Sequence, residues 1–144
     1  MRYWDTSGVM PLTVAEMFTD AMLVVLGQDA QMVTWWGTPI EVMSAVARRQ
    51  REGALAPAGM EEAIARLRGY RESWTEIEPS ETVRRTAVRS LRVHPLRAAD
   101  ALQLAAAIVA SGNHPGDLPF VTLDDRLAEA ASKEGFPVIQ PRRG

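Results

Sequence analysis

The chain has no cysteine, only two histidines and a single lysine, Lys133, among its 144 residues. The missing thiol excludes disulfide frameworks, cysteine nucleophiles and thiolate zinc sites, and nothing points to an oxidising compartment. His94 and His114 stand far apart, each beside a proline, so no spaced histidine pair offers a zinc site. No run approaches the roughly 20 apolar residues of a membrane span, and the opening MRYWDTSG lacks the apolar core of a signal peptide. A cytoplasmic protein is therefore expected. The charge balance also excludes a simple reading: 16 basic residues against 18 acidic ones give a net charge of -2, so the global field does not itself attract nucleic acid.

What the chain does have is apolar content, 47%, enough to bury one sizeable core in a single domain spanning 1–144. Its basic residues apart from Lys133 are arginines, which suit phosphate contacts. The stretch LRAADALQLAAAIV, Leu96 to Val109, is rich in strong helix formers and apolar nearly all round, the pattern of a buried central helix. One acidic residue, Asp100, stands in its first turns. An acid there complements the helix dipole; a buried carboxylate must also be paired, protonated, exposed at a cleft or bound to a cation.

Along the chain, Arg2 to Trp4 reads as a short strand ending at Asp5-Thr6-Ser7-Gly8, a run of turn and cap residues. Thr13-Val-Ala-Glu16 has the form of a capping box opening a helix that stops near Gly27, and Met32 to Trp35 is a second strand. Thr38 as N-cap, Pro39 at the first helical position and Glu41 at the third open another helix, with Arg48, Arg49 and Arg51 in its last turns. A further helix from Pro57 carries Met60, Ile64, Leu67 and Trp74 at helical spacing, usually a core stripe. Ser80 caps an arginine-studded helix that leads into the central one. Phe120 to Leu123 is a third strand, followed at once by Asp124 and Asp125 at the start of a helix closing at Gly135, and Pro137 to Ile139 is a last strand. Strands alternating with helices predict an α/β domain: a parallel sheet of about four to five short strands with helices on both faces.

In such folds sites gather at the carboxyl ends of strands. Asp5 and Asp124 each follow a strand directly, Glu41 follows one within a few residues, and Asp100 begins the central helix. Each has a capping explanation of its own, but four acids so placed could converge on one cleft, where their mutual repulsion calls for a cation. Oxygen donors without histidine or cysteine select Mg²⁺ or Mn²⁺, and the chemistry natural to such a site is phosphodiester hydrolysis by activated water.

The segments YWDTS, TPIEVMSAV, RAADALQLAAA and FVTLDDRLAEAASKEGFPVI, in this order over nearly the whole chain, resemble the PIN-domain ribonucleases, particularly the VapC-type toxins of toxin-antitoxin pairs. The resemblance implies a PIN-like fold and a metal-dependent endoribonuclease in which Asp5, Glu41, Asp100 and Asp124 bind Mg²⁺ or Mn²⁺. It gives Thr6 or Ser7 a hydroxyl role beside the first aspartate or the metal's water, and Asp125 an accessory place. It further implies an RNA substrate such as a tRNA or rRNA, a homodimer, and a cognate antitoxin whose tail occupies the active-site groove. Arg48, Arg97 and Arg126, close in sequence to the acids, are candidate RNA contacts.

Two other readings compete. A haloacid-dehalogenase-like phosphatase also places an aspartate after its first strand, but it wants a second acid two residues on, where Ser7 stands. A non-catalytic PIN-like module binding RNA or a protein would be better served without the acids, since a groove for polyanions gains nothing from carboxylates.

Overall fold

The computed structural model describes residues 1–142. Its sheet has five strands: β1 (Arg2–Trp4), β2 (Met32–Trp35), β3 (Thr75–Ile77), β4 (Phe120–Val121) and β5 (Val138–Ile139). They lie in the order β3-β2-β1-β4-β5 and every pairing is parallel. The chain builds outward from β1 through β2 to β3, then returns to place β4 on the other side of β1. The order thus reverses between β1 and β4, the position where a crevice opens at the carboxyl ends of the strands.

The two-residue period of the strands sorts side chains onto two cores. Tyr3, Val33, Trp35 and Phe120 point to one face, against α5 (Glu81–Val93), α6 (Ala98–Ser111) and α7 (Asp125–Lys133). Trp4, Met32 and Val121 point to the other, against α1 (Thr6–Thr13), α2 (Thr19–Gln28), α3 (Thr38–Arg51) and α4 (Pro57–Arg71). Helices therefore cover both faces, as the alternation of elements predicts. The central helix is α6: Ala101, Leu104, Ala105, Ala106 and Ala107 are fully buried, and the small alanines let it lie close on the sheet. Ser80 caps α5 by accepting from the Val83 amide at 3.1 Å, as expected. No helix among the described residues is long and apolar enough to cross a membrane.

Three local expectations need correction. Thr13 does not open a helix; it ends α1, its hydroxyl donating back to the Met10 carbonyl at 2.9 Å. The carboxylate of Glu16 instead accepts from the Phe18 amide in the turn before α2. Thr38 and Glu41 do not form a capping box either: the N-cap of α3 is Gly37, with no side-chain cap bond, because the Thr38 and Glu41 oxygens are engaged by a residue of α6. Finally β3, unforeseen as a strand, is a three-residue edge with Thr75 exposed, Glu76 partly buried and only Ile77 packed on the core, so it is too short and polar to show an apolar alternation.

The α6 core supplies a direct stability test. Leu104→Ala, at a fully buried site, is expected to cost about 2–5 kcal/mol in urea unfolding, whereas the same truncation at exposed Leu23 is expected to stay within about 0.5 kcal/mol.

Candidate active site

Asp5 leaves the central strand β1 at its carboxyl end and caps α1, its Oδ1 accepting from the Gly8 amide at 3.1 Å. Gly8 is glycine for a reason of space: a Cβ there would meet the Val121 carbonyl oxygen at 3.2 Å, so α1 starts tight against β4. Ser7 Oγ donates to the Asp5 carboxylate at 2.8–2.9 Å, and Thr122 Oγ1 donates to its Oδ2 at 3.0 Å. Both hydroxyls also accept: Ser7 Oγ from the Leu123 amide at 2.8 Å, Thr122 Oγ1 from the Asp124 amide at 3.0 Å. Two hydroxyls therefore clasp the exit of β4 to the exit of β1, across the point where strand order reverses.

Asp5 is 2% exposed, and none of these partners carries a positive charge. Burial raises its carboxyl from the ordinary 3.8 to about 7; the Ser7, Gly8 and Thr122 hydrogen bonds pull against that rise, and the nearby charge of Asp124 adds to it. Asp124 caps α7, its Oδ1 accepting from the Leu127 amide at 3.0 Å. Its capping role and its place beside Asp5 coexist.

A second cluster centres on Gln103, three residues after Asp100 and so on the same face of α6. Its side-chain amide is within hydrogen-bond reach of three acceptors: Glu41 Oε2 at 3.0 Å, Thr38 Oγ1 at 3.1 Å and Thr6 Oγ1 at 3.0 Å. Its carbonyl oxygen accepts from the Tyr3 hydroxyl at 2.6 Å. Burial raises the Glu41 carboxyl, which the Gln103 and Thr6 hydrogen bonds offset in part, and Asp100 pushes it up further. Asp100, half-buried, is raised by desolvation first and by Asp124 second, while the Arg97 amide and the charges of Arg126 and Arg97 oppose the rise.

The four acids expected from the sequence thus lie at one end of the sheet and act on one another: Asp124 on Asp5 and Asp100, Asp100 on Glu41. An open cleft of about 460 Å³ is lined by Arg97, Asp100, Asp124, Asp125 and Arg126. Arg48 is not among these; it sits in the last turn of α3, about 10 Å along the helix axis from Glu41. Asp125 borders the cleft, but its Oδ1 accepts from Gln140 at 2.7 Å. Of the two hydroxyls beside Asp5, it is Ser7 that bonds the carboxylate, and Thr6 turns to Gln103 instead.

Gln103 and Thr122 went unnoticed in the sequence. Gln103 is the one amide in the otherwise apolar run from Ala101 to Ala110, and that contrast marks it. Thr122 gives no such signal, because a β-branched residue in a strand is unremarked.

Among the described residues, no three histidine or acidic side chains are grouped so as to hold an ion unaided. The donor set still fits Mg²⁺ or Mn²⁺: hard carboxylate oxygens only, with mutual repulsion that a cation would relieve. Mg²⁺ in particular keeps several waters and needs only one or two carboxylates directly.

No protein-family model matches the chain, and no curated protein matches it. Solved structures do match. A toxin-antitoxin complex from Klebsiella pneumoniae aligns with TM-score 0.66 and 19% identity over 99% of this chain and 98% of that one. FitAcB from Neisseria gonorrhoeae aligns with TM-score 0.68 and 16% identity over 97% of each chain. The protein PAE2754 from Pyrobaculum aerophilum aligns with TM-score 0.59 and 18% identity over 90% of this chain and 84% of that one. The fold is PIN-like. At these identities the likeness is one of architecture, and the PIN-domain resemblance read in four sequence segments extends to the whole sheet and its helices.

The buried Asp5 makes a pH prediction. Its carboxyl holds a proton in the folded chain up to about pH 7 but loses it near 4 when unfolded, so the native state binds more protons over that window and stability falls as pH rises. Urea unfolding in chelator should show the wild-type protein less stable at pH 8 than at pH 5 relative to Asp5→Asn. An equal pH dependence for the two proteins would show that Asp5 does not titrate in this way.

Proposed function

We propose that the protein is a metal-dependent endoribonuclease of the PIN type and the toxin of a toxin-antitoxin pair. The observation that carries this reading is the disposition of Asp5 and Asp124 on either side of the strand-order reversal, with Asp100 and Glu41 electrostatically coupled to them at the same end of the sheet. Asp5, Glu41, Asp100 and Asp124 would hold Mg²⁺ or Mn²⁺, directly or through water. A divalent ion there supplies Lewis-acid activation of water and neutralises charge at the leaving oxygen of a phosphodiester.

The protein's own part is to hold the carboxyl groups in fixed positions. Ser7 and Thr122 orient Asp5 by donating to it, and the Leu127 amide orients Asp124. Arg97 and Arg126, on the rim of the cleft, offer guanidinium groups to RNA phosphates next to the acids. The similar Klebsiella structure is a toxin-antitoxin complex, which supports an antitoxin partner by analogy of fold. A homodimer has a surface available on α5, where Val88, Leu91 and Val93 are exposed beside a groove walled by Trp35, Val83, Ala87 and Leu102.

The deciding experiment incubates purified protein with labelled tRNA and rRNA in Mg²⁺, in Mn²⁺ and in chelator, beside Asp100→Asn and Asp124→Asn. Discrete products that require the metal and fall about 100-fold or more in both variants are expected. Equal cutting by wild type and variants would point to a contaminant and remove the assignment. For the arginines, Arg97→Ala and Arg126→Ala should weaken RNA binding and reduce the salt slope of log K by about 1 each; unchanged slopes would place the RNA elsewhere.

A further inference from the structure

Gln103 is 1% exposed, and its neighbours on α6 are alanines and leucines. An amide in such surroundings costs free energy unless each of its groups is bonded, and an apolar residue of similar size would fill the space without that demand. Packing therefore does not account for it. What does is the set of atoms that it reaches. The amide nitrogen has two protons and three acceptors, one each from Thr6 at the start of α1, Thr38 at the start of α3, and Glu41. Two of the acceptors are hydroxyls, which can also donate. Glu41 as a carboxylate can only accept, so it dictates which way round the amide sits. Tyr3, fully buried on β1, then points its hydroxyl at the one group left, the Gln103 oxygen, at 2.6 Å. The phenol carries its proton at neutral pH, so it serves as the donor in this bond.

We propose that Gln103 is a positioning residue for the divalent ion: anchored by Tyr3, it fixes Glu41 Oε2 and so presets the glutamate arm of the metal site. The inference rests on the metal-dependent reading given above. Without the amide, Glu41 sits half-buried and facing Asp100 with only the Thr6 hydroxyl to steady it, and a side chain with three rotatable bonds has other rotamers to take. Partners that orient a metal's ligands are commonly worth 10- to 100-fold in metal affinity.

The test measures Mn²⁺ binding by electron paramagnetic resonance and by calorimetry, with no RNA present, for wild type, Glu41→Gln, Gln103→Met, Tyr3→Phe and Leu104→Ala, with unfolding in chelator recorded for each. Gln103→Met conserves volume and removes the amide; its Mn²⁺ Kd should rise about 10-fold or more, approaching the Glu41→Gln value. Tyr3→Phe, which leaves the amide in place but frees its far end, should weaken binding in the same direction and carries the test should Gln103→Met not fold. Leu104→Ala, one residue along the same helix, should lower stability and leave Kd unchanged, separating positioning from general loosening of α6. Wild-type binding that Gln103→Met or a folded Tyr3→Phe leaves within about twofold would overturn the role of Gln103 alone. A wild-type protein that takes up no Mn²⁺ would overturn the metal reading and this inference with it.

Discussion

The burial of the Asp5 carboxylate at the end of the central strand is the constraint on which the rest of this structure turns. A carboxyl group has been taken out of water and given three neutral donors in place of a cation. Each donor comes with a structural consequence. The Gly8 amide is available because α1 begins immediately after β1, and α1 can begin there because residue 8 has no Cβ to strike the Val121 carbonyl. The Ser7 and Thr122 hydroxyls are available because β4 lies beside β1, and their second bonds, to the Leu123 and Asp124 amides, determine where the chain leaves the sheet. The start of α7, and Asp124 as its cap, therefore follow from how Asp5 is satisfied.

The same constraint explains why the acids repel without tearing the site apart. Their charges are distributed over two rigid clusters, one on the β1 and β4 exits and one hung from α6, and each carboxylate has at least one donor from its own cluster. Burial first and the neighbouring acids second raise these carboxyls, while each acid is held at a helix start or by a buried amide. In the metal-dependent reading proposed above, a site assembled in this way would have its ligands in place beforehand, and a bound cation would relieve their repulsion.

Much of this was legible in the chain, and the limits follow from physics. Strands β1 and β2 and helices α5, α6 and α7 declare themselves through apolar period and caps, and Ser80 and Asp124 cap as their positions suggest. Asp5 and Asp124 could be picked out because their place directly after strands is a one-dimensional fact that the parallel topology converts into proximity. The misreadings around Thr13 and Thr38 share a cause: a Thr-x-x-Glu spacing describes local hydrogen bonding, and at position 38 a long-range partner, Gln103 on α6, outcompetes the local one. Nothing within four residues of Thr38 announces a bond to a residue 65 positions away. Edge strand β3 is hidden for the opposite reason, since a three-residue strand paired on one side only, with Ile77 its single apolar residue, shows no alternation to read.

Gln103 shows what reading a buried helix for its charged residue alone leaves out. Asp100, a carboxylate in an apolar run, lies on the helix's open side, in the cleft with Arg97 and Arg126, where solvent and guanidinium groups share its charge. One turn deeper the neutral amide is the more constrained residue, with no solvent to fall back on and four side-chain partners drawn from β1, α1 and α3. A charged group can be tolerated at the rim of a core by facing outward. A neutral polar group at full burial persists only where the fold supplies partners to both its donor and its acceptor ends, and in this protein those partners are the elements that converge on Glu41.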